Sequence, residues 1–122
     1  MRVLLSIKPQ FAHKIFDGSK KFEFRKSIFK NKEIHTVVVY ASSPVQKVIG
    51  EFTIDEILEA QPQALWEKTK QDSGITKSFF DSYFLNRDIA YAIKVRDTAL
   101  YKDPLSLSDF DLSFAPQSFV YL

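Results

Sequence analysis

The chain contains no cysteine, which excludes disulfides, thiolate metal sites and cysteine nucleophiles together. Histidine is nearly as scarce. Only His13 and His35 occur, and neither sits in a ligand spacing such as HExxH, so no metal centre and no cofactor are expected. Long apolar runs are missing too. The opening Met-Arg-Val-Leu-Leu-Ser-Ile-Lys-Pro is too short for a signal sequence, and nothing later approaches the ~18 apolar residues of a membrane span. A soluble, cytoplasmic protein without a membrane partner is the expectation. With three glycines and five prolines there is no linker-like stretch, and no internal repeat or low-complexity segment. One domain, residues 1–122, follows.

What is present favours an independent core. Hydrophobic residues make up 45% of the 122-residue chain, and twelve of its residues are Phe. A chain of this length buries roughly two-thirds of its unfolded surface. Charge is nearly balanced overall but unevenly spread. Residues 1–47 carry ten Lys/Arg against three Asp/Glu, and the remainder seven against twelve. Clustered positive charge concentrates phosphates at a surface, so the basic third is where an anionic partner is expected.

Alternation marks Arg2 to Lys8 as a strand, ended by Pro9. Phe11, Ala12, Ile15 and Phe16 then recur at helical spacing, which predicts a short amphipathic helix over Gln10 to Asp17 with Gly18 as its C-cap. Lys20 to Lys26 alternates again. Phe22 and Phe24 fall on one face, and Lys21, Glu23 and Arg25 on the other. Glu33 to Ser42, containing Thr36-Val37-Val38-Val39-Tyr40, and Gln46 to Leu58 read as core strands. From Pro62 the period turns helical. One segment opens at Ala64-Leu65-Trp66, and a second holds Ile75, Phe79, Phe80, Tyr83 and Phe84. Ile89 to Val95 is a further strand, Pro104-Leu105-Ser106 a loop, and Ser118 to Leu122 a last short strand. Five or six strands with about three short helices and no βαβαβ rhythm predict an α+β fold built on a small, partly open β-barrel.

The densest group of reactive side chains is Gly18-Ser19-Lys20-Lys21-Phe22-Glu23-Phe24-Arg25. A strand edge with an acid between cations, beside a helix end, can hold a phosphate and exchange protons with a base edge. The same pattern also describes a solvated strand face with ion pairs, in which Glu23 pairs with Arg25 or Lys8. Lys20 and Arg25 are expected to face solvent, so that alanine at either leaves folding intact. Ser42-Ser43-Pro44 puts two hydroxyls at a turn. Lys8, held extended before Pro9, aims off its strand end. Gln117 and Ser118 offer hydrogen bonds to a base edge. Tyr40 and Tyr91 are the expected stacking platforms, whereas the spacing of Phe79, Phe80, Tyr83 and Phe84 assigns those four, with Trp66, to packing.

A helix ending in Gly-x-Lys, followed by x-x-Glu-x-Arg on a strand, resembles the signature of the ASCH domain, a branch of the PUA-like barrels. The resemblance extends through Leu4-Leu5-Ser6-Ile7-Lys8-Pro9, Val39-Tyr40-Ala41-Ser42-Ser43-Pro44, Val48-Ile49-Gly50, Tyr91-Ala92-Ile93 and Pro116-Gln117-Ser118-Phe119, so it covers nearly the whole chain. It implies a PUA-like barrel with a cleft beside the first helix that binds RNA or a modified nucleoside. Lys8, Lys20, Lys21, Glu23, Arg25, Tyr40, Ser42, Ser43, Gln117 and Ser118 would form that site. Some relatives hydrolyse acylated cytidine with a Lys in the Gly-x-Lys turn, a Thr on the next strand and a distant Glu. Lys20 matches the lysine, but Glu23 stands at the threonine position, and Asp72 is the sole carboxylate near the distal one. Single-strand RNA cleavage is a further activity that the resemblance implies. As an enzyme, the protein would therefore be a small hydrolase, an acylcytidine amidohydrolase or a ribonuclease, with Lys20 and Glu23 catalytic. A protein-interaction module is a third reading, distinguished by the absence of salt-dependent nucleic-acid affinity.

Overall fold

The computed structural model describes all of residues 1–122. Its strands are β1 (Arg2–Ile7), β2 (Phe22–Arg25), β3 (Thr36–Ala41), β4 (Lys47–Ala60), β5 (Ala90–Leu105) and β6 (Phe119–Tyr121). Its α-helices are α1 (Pro9–Asp17), α2 (Pro62–Thr69) and α3 (Lys77–Tyr83). The strands form one sheet in the order β2-β5-β4-β3-β1-β6. Only β1 and β3 pair in parallel, and the other neighbours are antiparallel. The α+β class and the partly open, PUA-like barrel are as expected. No helix is long and apolar enough to cross a membrane.

Strand parity explains how so short a chain fills three cores. Successive strand residues point to opposite faces. On β1, Val3, Leu5 and Ile7 enter the main core with Ala12 and Ile15 of α1, while Leu4 points the other way. On β3, Val37, Val39 and Ala41 join the main core, whereas Val38 and Tyr40 meet Leu4 on the opposite face. The unbroken apolar run of β3 thus reflects a strand buried on both sides. That second face is covered by Leu107, Phe110, Leu112 and Val120 from the last seventeen residues. The third core lies under α2 and α3, where Leu65, Phe80 and Phe84 pack on Phe22, Phe24 and Ala92.

One strand is much longer than the alternation implied. β5 continues through Pro104 into Leu105, where a loop is expected from the sequence. Its register against β4 shifts at three places, so bulges absorb the residues that break the two-residue period. Two 3₁₀ turns, Lys70–Asp72 and Leu107–Phe110, lie outside the elements expected from the sequence, although Ser106 and Asp109 form a capping box at the start of the second.

Candidate functional site

The sheet curls until its two ends meet, and Arg25 ties them together. From the end of β2 its Nη1 donates to Ser6 O of β1 at 3.3 Å and pairs with Glu23 Oε2 at 3.2 Å. Its Nη2 donates to Ser118 O at 3.1 Å and Ser118 Oγ at 2.9 Å, just ahead of β6. The Arg25 side chain is only 11% exposed. The expectation that it faces solvent is therefore corrected: the guanidinium fork is the seam of the barrel, bonding Ser6 O and Ser118 O where the ladder between β1 and β6 ends.

Beside this seam lies a cleft of about 210 Å³, bounded by α1, β2 and α3. Lys20, Glu23 and Arg25 supply its charged lining, while Phe11, Phe79 and Tyr83 supply aromatic faces. Lys8 and Gln117 also line it.

Lys20 is the second correction, since it is 2% exposed and not a solvent-facing turn lysine. Its Nζ donates to Ser73 O at 2.9 Å and lies 4.6 Å from the Phe24 ring centroid and 5.5 Å from that of Phe11. The turn before α3 presses directly against it. Gly74 adopts a left-handed φ of 70°, and a Cβ there would fall 2.5 Å from Lys20 Cβ. Lys14 Nζ donates to Gly74 O at 3.0 Å and Lys21 N to Asp72 O at 2.8 Å, so three donors hold this turn in place. Burial pulls the Lys20 ammonium down from 10.5 to about 8, against the opposing pull of Glu23, with Lys14 adding to the depression. Burial also raises the Tyr83 hydroxyl above its ordinary value, keeping it a neutral phenol.

Glu23 is 7% exposed at its side chain. One carboxylate oxygen is held by Arg25, and the other has no hydrogen-bond partner within the protein. Lys20 likewise has a single hydrogen-bond acceptor for its three N–H groups. A cation and an anion with unused bonding capacity thus line one aromatic-walled cleft.

Other residues singled out from the sequence fall elsewhere. Lys21 is exposed and does not line the cleft, because β2 begins one residue later and its flanking backbone is bonded to Asp72 and Val95. Tyr40 is buried against Leu4, Val38 and Val48 on the opposite face of the sheet. Ser42 and Ser43 lie in the turn after β3 and are not lining residues, although Ser42 N–H donates to Ile7 O at 3.0 Å. Ser118 acts through Arg25. Tyr91 lies in a neighbouring groove. Asp72 is exposed and does not line the cleft, meeting Lys21 through its carbonyl.

The expectation that Phe79, Phe80, Tyr83 and Phe84 all serve packing is half corrected. Phe80 and Phe84 are buried with Trp66 nearby, but Phe79, 38% exposed, and Tyr83 line the cleft with rings nearly parallel at 11°. A signal for this was present. Residues 79/83 and 80/84 are two adjacent i,i+4 stripes, and so short a helix rests only one stripe on its core.

Comparison with known proteins fits this geometry. A family model described as the ASCH domain matches residues 5–99. The large ribosomal subunit protein uL22 of Ureaplasma parvum serovar 3 is 31% identical over 121 residues, covering 98% of this chain and 39% of that protein. The chain thus spans about two-fifths of that relative's length. An ASCH domain-containing ribonuclease of Zymomonas mobilis is 29% identical over 94 residues, covering 77% of this chain and 64% of the relative. The crystal structure of ASCH from Zymomonas mobilis superposes with a TM-score of 0.90 at 27% identity, covering 99% of this chain and 87% of that one. By its fold, its Gly-x-Lys-x-x-Glu-x-Arg segment and the matched span, this chain belongs to the ASCH domain family.

Proposed function

We propose that the protein binds unpaired RNA or a modified nucleoside, with one base seated in the cleft beside α1. The observation that carries this reading is the pair Lys20 and Glu23, both buried, both with unused hydrogen-bonding capacity, and flanked by aromatic faces. Sequence-specific recognition of single strands works by stacking a base on aromatic rings and bonding its polar edge. Here Phe79 and Tyr83 are the stacking faces. The free oxygen of Glu23 accepts from an amino or imino N–H, and Lys20 donates to a ring or carbonyl acceptor. Lys8 lies at the rim, where a phosphate would pass. A cleft of about 210 Å³ accommodates a single nucleoside and no more. The relative named as an ASCH domain-containing ribonuclease agrees with an RNA ligand.

A second reading is a ribonuclease, favoured by the relative of that name and by the free Glu23 oxygen. Glu23 would take the proton of a ribose 2′-hydroxyl as it attacks the adjacent phosphorus, and Lys20 would protonate the departing 5′-oxygen, leaving a 2′,3′-cyclic phosphate.

Both readings are tested by titrating labelled single-stranded RNA and free nucleosides, acetylated cytidine included, into wild type, Lys20→Met and Glu23→Gln. Products are then examined by mass spectrometry. Binding that weakens with salt and falls at least tenfold in both variants, with intact substrates, supports the binding module. Cleavage that depends on Glu23 makes it a hydrolase. Affinity unchanged by both substitutions removes the cleft from RNA recognition.

A further inference from the structure

We propose that a second groove, next to the cleft, takes the flanking nucleotides of the single-stranded RNA whose one base the cleft holds; this rests on the binding reading above. The groove encloses about 550 Å³. It starts one cross-strand pair from the cleft, since Arg25 on β2 lies directly opposite Tyr91 on β5. Directly opposed strand residues share a face. Tyr91, half-buried, and Ile57, 39% exposed, give the groove an apolar floor on which a base can stack.

One wall is the segment that leaves β2 after Arg25, and it is basic. Lys30 and Lys32 line the groove, and Lys26, earlier on the same segment, lies with its Nζ 4.8 Å from the ring centroid of Tyr83, a lining residue of the cleft. All three lysines are exposed, and none has an ion-pair partner. The segment is nonetheless fixed. Phe29 is buried in the main core, and the backbone N–H groups of Lys30 and Asn31 both donate to Tyr121 Oη. A fixed row of cations leading from the cleft is what a phosphate backbone requires.

The opposite wall carries Asp55 and Glu59, and Asp55 is already engaged by Lys94 at 3.5 Å. This polarity orients the strand. Phosphates run along the lysine wall, and bases point toward Tyr91, with their amino groups facing the acids. A peptide could also use a groove of mixed charge, but the row of unpaired lysines and the pairing of Arg25, which lines the cleft, with Tyr91, which lines the groove, favour RNA.

The test compares the four nucleoside 5′-monophosphates with labelled mixed-sequence RNAs of two, four and eight nucleotides. The proteins are wild type, Lys30→Glu/Lys32→Glu and Lys20→Met. In wild type the octamer is expected to bind at least tenfold more tightly than the monophosphates. In the double variant that gain disappears while monophosphate affinity stays unchanged. The slope of log affinity against log salt falls there by about 1.4, at ~0.7 for each phosphate that the protein no longer neutralises. Tyr91→Leu, which leaves the lysines intact, is expected to reduce the octamer gain alone. The proposal is overturned if the octamer gain survives both sets of substitutions, or if affinity does not depend on length. Loss of all binding in Lys20→Met supports the cleft. Loss in the lysine pair with none in Lys20→Met upholds the groove and overturns the cleft reading.

Discussion

Arg25 and Lys20 sit five residues apart on one short segment, and burial gives them opposite roles. Arg25 spends its guanidinium on Ser6 O, Glu23 and both oxygens of Ser118, so it is structural. Arg25→Ala takes this donor from Ser6 O and from the buried Glu23 carboxylate, and is expected to cost about 2–4 kcal/mol. Arg25→Lys should recover only part of this, because an ammonium cannot span the same fork. Urea unfolding of both variants checks the order. Lys20 is instead a charge held in the fold against burial. Its amine titrates near 8 when folded and near 10.5 when unfolded, so between those values the unfolded chain binds more protons and stability rises with pH. Below pH 8 the lysine is charged in both states and the penalty is full. From pH 8 to 10 wild type should gain on the order of 2–3 kcal/mol relative to Lys20→Met. Denaturant midpoints of the two proteins across that range measure it, and parallel curves would show that the amine titrates normally. Neither role could be read from alternation, which gives the side of a strand but not what covers it.

Helix α3 presents two aromatic stripes to two different surroundings. Phe80 packs against Phe24, Trp66 and Phe84 with ring centroids at 5.3, 5.0 and 4.8 Å. Phe80→Ala should therefore cost roughly 3–5 kcal/mol. Phe79 packs edge-on against Phe11 at 5.2 Å but is partly open to the cleft. Phe79→Ala should cost about 1 kcal/mol in stability and at least fivefold in RNA affinity, read by thermal unfolding and by anisotropy. The helix itself, its N-cap at Thr76 accepting from Phe79 N, was legible as an apolar periodicity. Which stripe would be buried was not, because that depends on where β2 and β5 pass beneath it. The turn before α3 behaves the same way. Gly74 reads as punctuation in the sequence, while its need for a positive φ and its closeness to Lys20 come from the fold. Gly74→Ala is expected to destabilise by about 1–3 kcal/mol and to displace Lys20.

Across the whole molecule, one sheet separates an inner core from an outer one, and the chain's last segment closes the outer one. Leu4, Val38, Tyr40 and Val48 are buried because Leu107, Phe110, Leu112, Val120 and Leu122 lie over them. The same segment contributes Ser118 to the barrel seam and Gln117 to the cleft. Removing residues 106–122 is therefore expected to lower Tm by more than about 10 °C and to cause self-association, observed by circular dichroism and size-exclusion chromatography. It also explains Tyr40. A tyrosine on a core strand near the proposed cleft was a reasonable stacking platform, but its parity with Val38 puts it on the side that the C-terminal segment covers.

Local pattern was enough for the class of fold, the strand and helix types, the C-cap at Gly18 and the segment around which chemistry gathers. These properties are set by the two- and 3.6-residue periods, by proline and glycine, and by where charge accumulates. Long-range packing is what buries Lys20, makes Arg25 the seam, turns Phe79 and Tyr83 to a cavity, and keeps Tyr40 and Lys21 out of it. Each of these depends on which distant segment lies over a given face: Ser73 over Lys20, Ser118 over Arg25, Leu107 to Leu122 over Tyr40. Burial is a relation between residues far apart in the chain, and a period of two or 3.6 carries no record of the partner.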